Sequence, residues 1–365
     1  MEDAMTIRLR LSEKHPNLSM FGVYDGHRGS RCSKYLEDYL PTVVGELDNP
    51  CGEKELTKAM VEFDSKFLSH EDMRQDGSTC VFALCQPLGG AEGCRKGYKV
   101  TVCNVGDSRA ILIRSNGRMI PLTADHKPEN AAERRRIRLA GGYVKQNRVD
   151  GQLALSRAFG DWSYKNNPSL SYQQQKVTAI PDITNDIMYE GDTLLICCDG
   201  LFEQLTREAV AKFVFETFQN DSQRDPAAVV AALLDEVLKC GSKDNMSCVC
   251  VRMQNGRHFA GKKNEYVPGR FHEYKNEQKF VKAFFADAKK SGLSRQKVIA
   301  MIPPPEDEPE EPKNMAIAAN RDLTRHLVVF AMALGFLLFI MPEQRVLMLL
   351  LFFVIIGLLA NYPLI

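Results

Sequence analysis

Ser19-Met20-Phe21-Gly22-Val23-Tyr24-Asp25-Gly26-His27 is the stretch that decides the fold. Six residues rich in apolar and aromatic side chains run into Asp-Gly, which predicts a strand over 19–24 ending on an acidic turn. The same figure returns along the chain. Val102-Cys103-Asn104-Val105 ends in Gly106-Asp107-Ser108-Arg109, Leu194-Leu195-Ile196-Cys197-Cys198 ends in Asp199-Gly200, and Asp244-Asn245 opens the run 246–253. One Asp-Gly alone reads as a turn, because both residues tolerate positive φ. Four aspartates at strand ends read differently. Strand ends can converge at one sheet edge, and clustered carboxylates repel unless cations neutralise them. Oxygen donors without His or Cys select Mg2+ or Mn2+.

Working outward, short apolar runs bounded by Gly, Asp or Asn predict further strands at 78–84, 99–105, 109–114, 193–198 and 247–253. Amphipathic periodicity predicts helices at 30–46, 53–70, 128–140, 207–218 and 226–239, the third started by Pro128 and stopped by Gly141-Gly142. Strands cluster and so do helices, which favours α+β layers over an alternating parallel sheet. The chain has 365 residues with 47 Lys+Arg against 46 Asp+Glu, a net charge of +1, 25% charged and 44% hydrophobic residues. Those figures exclude a disordered or collagen-like chain, and with no basic groove visible they exclude a nucleic-acid partner. The 11 cysteines form no C-x-x-C pair and several sit in apolar runs, so they read as reduced core thiols rather than zinc ligands. Met1-Glu2-Asp3 carries no basic-then-apolar leader, so no signal peptide is expected.

The ordered motifs resemble the metal-dependent Ser/Thr protein phosphatases of type 2C. They are Met1-Glu2-Asp3-Ala4, Phe21–His27, Asp76-Gly77-Ser78-Thr79, Asn104–Ala110, Asp125-His126-Lys127-Pro128, Leu153–Asp161, Cys198–Phe202 and Asp244–Ser247, covering residues 1–253. The resemblance implies a four-layer α-β-β-α sandwich, two antiparallel sheets flanked by helices, with a metal site at one end. It implies that Asp25 bridges two divalent cations and that the Gly26 carbonyl ligates one of them. Asp199 and Asp244 would hold one metal and Glu2 and Asp3 the other. Asp107 would serve a third, with Glu203, where relatives carry Asp, as a further candidate there. His27 would be the general acid toward the leaving oxygen, and the substrates would be phosphoserine and phosphothreonine in proteins. No substrate-binding residue is identified.

Other segments stay open at this stage. Ser156–Asp161 reads as a structural turn held by Arg157, and the basic run Arg134-Arg135-Arg136 with Arg138 as a solvated helix face. Residues 161–178 occupy the place of the family's flap, which can shape substrate choice; a flexible polar loop has the same composition. Relatives carry a strand and an Arg upstream of Met-Glu-Asp-Ala. Here Glu2 and Asp3 are expected on a fraying terminus, without that edge strand. Two readings follow: an active phosphatase, or a pseudophosphatase that keeps the fold as a membrane-tethered binding module.

Beyond the catalytic region, 254–302 reads as an accessory extension with a helix near 273–290. Residues 303–326, with Pro303-Pro304-Pro305 and an acidic Pro-rich run, read as a stiff linker. The uncharged runs 327–341 and 346–360, separated by Pro342-Glu343-Gln344-Arg345, read as transmembrane or hairpin helices in a membrane-inserted tail, 327–365, in contact with lipid. Arg321, Arg325 and His326 before them place the catalytic region on the cytosolic side of that membrane.

Overall fold

The computed structural model describes residues 2–88, 97–221, 225–253, 276, 278–290 and 292–302. In chain order the elements are β1 (Ala4–Arg8), β2 (Ser19–Tyr24), β3 (Gly26–His27), α1 (Arg31–Glu46), α2 (Glu53–Leu68), β4 (Gly77–Ser78), β5 (Cys80–Pro87), β6 (Gly97–Val105), β7 (Arg109–Ile113) and β8 (Met119–Pro121). There follow α3 (Ala131–Leu139), β9 (Val144–Lys145), β10 (Arg148–Val149), β11 (Phe159–Gly160), β12 (Asp182–Tyr189), β13 (Thr193–Cys197), α4 (Arg207–Asn220), α5 (Pro226–Lys239), β14 (Cys248–Arg252), α6 (Gln278–Lys290) and α7 (Arg295–Met301).

Two larger antiparallel sheets form, in the orders β1-β2-β5-β6-β12 and β14-β13-β7-β8, beside a short three-stranded sheet β11-β4-β3 and the pair β10-β9. Side-chain alternation explains how they stack. On β2 and β5, Phe21, Val23, Val81, Ala83 and Cys85 join the core shared with the smaller sheet, α4 and α5. Their neighbours Met20, Tyr24, Cys80, Phe82 and Leu84 face the other way, into a second core with Leu36, Leu40, Met60 and Phe63 of α1 and α2. The result is the expected α-β-β-α layering. The described cysteines are free thiols, most of them buried.

Differences from the sequence reading have local causes. α3 starts at Ala131, three residues after Pro128: Asn130 donates to the Asp125 carbonyl at 2.8 Å, and its N–H reaches the Lys127 carbonyl at 3.1 Å, so 127–130 is a turn before the helix. β1 is an edge strand that pairs Ala4–Arg8 with Met20–Tyr24, so the terminus enters the sheet instead of fraying. β12, unanticipated, has polar residues on both faces and pairs with Gly97–Asn104 of β6. The accessory helix begins at Gln278. The linker and the two apolar runs lie outside the described residues; among the described residues no helix is long and apolar enough to cross a membrane.

Candidate active site

Each acidic residue sits where a strand gives out. Asp25 follows β2 and precedes β3, Asp107 follows β6, Asp199 follows β13 and Asp244 precedes β14. Glu2 and Asp3 precede β1, which runs beside β2. The Glu2 N–H donates to Asn245 Oδ1 at 2.9 Å, and Ser247 Oγ donates to Asp3 Oδ2 at 2.8 Å. Chain start and the 244–247 turn are thereby tied together. Gly26 permits this approach: a Cβ there would lie 2.4 Å from the Glu2 carbonyl oxygen.

Burial and mutual repulsion mark the cluster. The Asp25 carboxyl is pushed up to about 9, by burial first and then by the carboxylates of Asp3, Asp199 and Asp107. It therefore keeps its proton at neutral pH and donates it toward Asp199. Asp199 is pushed up to about 6, by burial and by Asp107, against the Lys127 ammonium and the hydrogen bond from Asp25. Burial also raises Asp3, whose Oδ1 is enclosed with no hydrogen-bond partner among the described residues.

The remaining candidates are otherwise engaged. Asp107 is paired with the Lys127 ammonium, Asp244 Oδ1 accepts from the Asn245 N–H at 2.7 Å, and the exposed Glu203 reaches Ser242 Oγ at 3.3 Å. Among the described residues Glu2 is held by its backbone, and no contact draws its carboxylate into the cluster. Among the described residues no three His, Cys, Asp or Glu side chains converge as a finished metal cage. Yet the donors are all oxygen, one buried carboxylate oxygen is orphaned, and one carboxyl is pushed up by burial and by the carboxylates around it. A divalent cation would satisfy all three conditions, so the residues fit one.

Two neighbours hold this edge in place. Thr79 Oγ1 accepts from the Asp25 N–H at 3.1 Å and lies 2.6 Å from Ser108 Oγ. His126 Nδ1 accepts from the Gly106 N–H at 3.0 Å, which fixes its Nε2–H toward Asp182 Oδ2 at 3.1 Å. His27, on β3, has its Nε2 2.7 Å from Asp161 Oδ2. The turn 156–161 is thus joined to the predicted acid, a contact that local sequence patterns did not signal.

The basic run is no uniform solvated face. Arg136 grips Glu133 at 2.6 Å and the carbonyl oxygens of Gln175, Ser156 and Lys176. Arg157 holds Glu133 and Asp182, each at 2.8 Å. Glu133 is held down at about 2: burial opposes ionisation, but Arg157 and Arg136 outweigh it. The 161–178 segment is likewise anchored, through a buried ion pair of Lys165 with Asp64 on α2.

Known proteins resemble the chain across this region. The profile described as Protein phosphatase 2C matches residues 1–246. A probable protein phosphatase 2C of Caenorhabditis elegans is 36% identical over 269 residues, covering 70% of this chain and 72% of the relative. Protein phosphatase 2C homolog 2 of Aspergillus flavus is 32% identical over 278 residues, 70% of this chain; the match spans 61% of that relative's length. Among solved structures, a phosphatase from a pathogenic strain of Toxoplasma gondii superposes with a TM-score of 0.63 at 30% identity, over 70% of this chain and 88% of that one.

Proposed function

Because the chain belongs to the protein phosphatase 2C family, we propose that it hydrolyses phosphoserine and phosphothreonine in proteins with the help of Mg2+ or Mn2+. Asp25 would serve two ions and the Gly26 carbonyl one of them, with Asp199 and Asp244 on one and Glu2 and Asp3 on the other. Asp107 and Glu203 would serve a third. When bound, such ions make water acidic enough to attack at neutral pH and offset charge on the phosphoryl oxygens. The chain's own part is to hold these oxygens at the ends of rigid strands and to supply a proton. His27 gives that proton to the leaving seryl or threonyl oxygen, a poor leaving group without it.

Asp25 carries the reading. A carboxyl buried among three others, and pushed up to about 9, is costly to a fold that has no cation to place there. The full chain is expected to dephosphorylate a phosphothreonine peptide with Mn2+, and to lose that activity in EDTA and in Asp199→Asn. A folded wild type that stays silent with Mn2+ would replace this reading with that of a binding module that keeps the fold without the reaction.

The apolar runs 327–341 and 346–360 support a further arm of the proposal: the domain is anchored at a membrane by its C-terminal tail and faces the cytosol, on the side of Arg321 and Arg325. Deleting residues 316–365 is expected to move the protein from the membrane pellet to the supernatant. Retention in the pellet would assign the anchor elsewhere.

A further inference from the structure

His27 and Asp161 are 134 residues apart in sequence, and His27 Nε2 lies 2.7 Å from Asp161 Oδ2. The fold goes to some length to make this contact. Asp161 adopts a left-handed backbone with φ 54, directly after Gly160 at φ 73. Its N–H donates to the Asp76 carbonyl at 3.1 Å, and a Cβ on Gly160 would fall 2.0 Å from that same oxygen. Gly77 stands opposite His27 in the β3–β4 register. A Cβ on Gly77 would lie 2.2 Å from His27 Nε2 and 2.4 Å from Asp161 Oδ2, so only glycine leaves the gap through which the two side chains meet.

The carboxylate is poorly provided for otherwise. The Asp161 side chain is wholly buried, while that of His27 keeps 24% of its surface exposed. Among the described residues Asp161 Oδ1 has no hydrogen bond; its other neighbour is the Arg28 guanidinium at 3.9 Å, which itself donates to the Tyr164 hydroxyl at 3.2 Å. As structural glue, a buried carboxylate with one hydrogen bond is a weak choice. As the partner that orients a proton-carrying ring, it is a good one.

We propose that Asp161 is the positioning residue for His27: it takes the Nε2–H and fixes the ring plane, and so reserves Nδ1 for the leaving oxygen of phosphoserine or phosphothreonine. This rests on His27 being the proton donor of the reaction proposed above. A water oxygen bonds to phosphorus, the bond from phosphorus to the side-chain oxygen breaks, and its electron pair stays on that oxygen. The oxygen takes the proton from His27 Nδ1. The attacking water's protons go to the phosphate product and to solvent, which reprotonates Nδ1. Throughout, Nε2–H stays on Asp161.

The test uses leaving groups. p-Nitrophenolate leaves without a proton, whereas an alkoxide does not, so loss of the acid is felt on a phosphothreonine peptide and hardly on p-nitrophenyl phosphate. With the full chain and Mn2+, His27→Ala is expected to lower kcat on the peptide about 100-fold and on the aryl ester by less than about 3-fold. Asp161→Asn keeps the left-handed backbone accessible, since Asn tolerates it. It is expected to lower the peptide rate about 10-fold while sparing the aryl ester, and the double variant to be no slower than His27→Ala. An Asp161→Asn variant that loses both substrates equally, loses neither, or multiplies the His27→Ala loss overturns the proposal. A His27→Ala variant with an undiminished peptide rate overturns the assignment of the acid itself, and Asp161's role with it.

Discussion

Lys165 Nζ lies 2.6 Å from Asp64 Oδ2, and both side chains are buried. Asp64 belongs to α2, and Lys165 to the segment that follows Asp161. The same carboxylate accepts from the Gly160 N–H at 2.7 Å and touches the Tyr172 hydroxyl, while Lys165 also donates to the Ala158 carbonyl at 2.7 Å. The 158–172 stretch is pinned to the helix layer at its start and near its end. That is why a polar, Asn- and Gln-rich segment does not behave as a free loop.

Breaking that pair from one side strands a charge. Lys165→Met is expected to lower stability by about 3–5 kcal/mol, read as a lower urea midpoint. The double variant Lys165→Met with Asp64→Leu should recover part of the loss, because no uncompensated charge is left. A single variant as stable as wild type would show that the pair contributes nothing.

Acid should find the Glu133 clamp first. Glu133 has an ordinary value of 4.5 and is held at about 2 by Arg157 and Arg136 in spite of its burial. A depressed carboxylate stabilises the fold fully above 4.5 and ceases to do so as pH falls through 2. The difference is worth about 3 kcal/mol at neutral pH. Urea midpoints measured from pH 7 to pH 2 should fall across that window in wild type. Glu133→Gln should be weaker at pH 7 and flatter below 4.5; an unchanged acid limb would remove Glu133 from the explanation.

At the acidic edge the sign reverses. Asp25 has an ordinary value of 3.8 and is pushed up to about 9, so in EDTA its contribution to stability is lost as pH rises between those values. Asp25→Asn removes a buried carboxyl whose ionisation burial and its neighbours oppose. It is expected to melt higher than wild type in EDTA at pH 8 and to gain nothing from Mn2+, whereas wild type should gain several degrees. Function and stability would then oppose each other at one residue. Equal Mn2+ stabilisation of both proteins would take Asp25 out of the metal set.

What the sequence revealed followed from local patterns. β2 was legible to the residue because a largely apolar run of six residues meets an Asp-Gly turn, and α5 because its apolar residues recur at helical spacing. β12 was hidden because an edge strand with Asp182, Thr184, Asn185 and Asp186 lacks the alternation of a half-buried strand. The acidic positions were visible as residues, but their coupling was not: Asp25 and Asp199 meet only because β2 and β13 end at the same side of the sandwich. Asp161 was hidden for the same reason. Its partner, 134 residues away, sits on β3, which β4 joins to the β11 strand just before Asp161, and its immediate surroundings read as a turn.

Thr79, just before β5, joins the acidic ends of β2 and β6 on either side of it. Its hydroxyl accepts from the Asp25 N–H at 3.1 Å and pairs with Ser108 Oγ at 2.6 Å, while its own N–H donates to the Asp25 carbonyl at 2.9 Å. Gly106, with φ 108, lets the chain pass beside it, since a Cβ there would lie 2.8 Å from Thr79 Cβ. Thr79 therefore sets the spacing of Asp25 from the Gly106-Asp107 turn. Thr79→Val keeps the shape but leaves the Asp25 N–H without its side-chain acceptor and the Ser108 hydroxyl without its partner, a cost of about 1–3 kcal/mol. Outer partners of metal ligands of this kind change affinity by about 10- to 100-fold when removed. Mn2+ titration by calorimetry should accordingly show weaker binding in Thr79→Val and near-normal binding in Thr79→Ser, which keeps the hydroxyl. If the Val variant binds as wild type does, the spacing of the two aspartates is set by the strands alone.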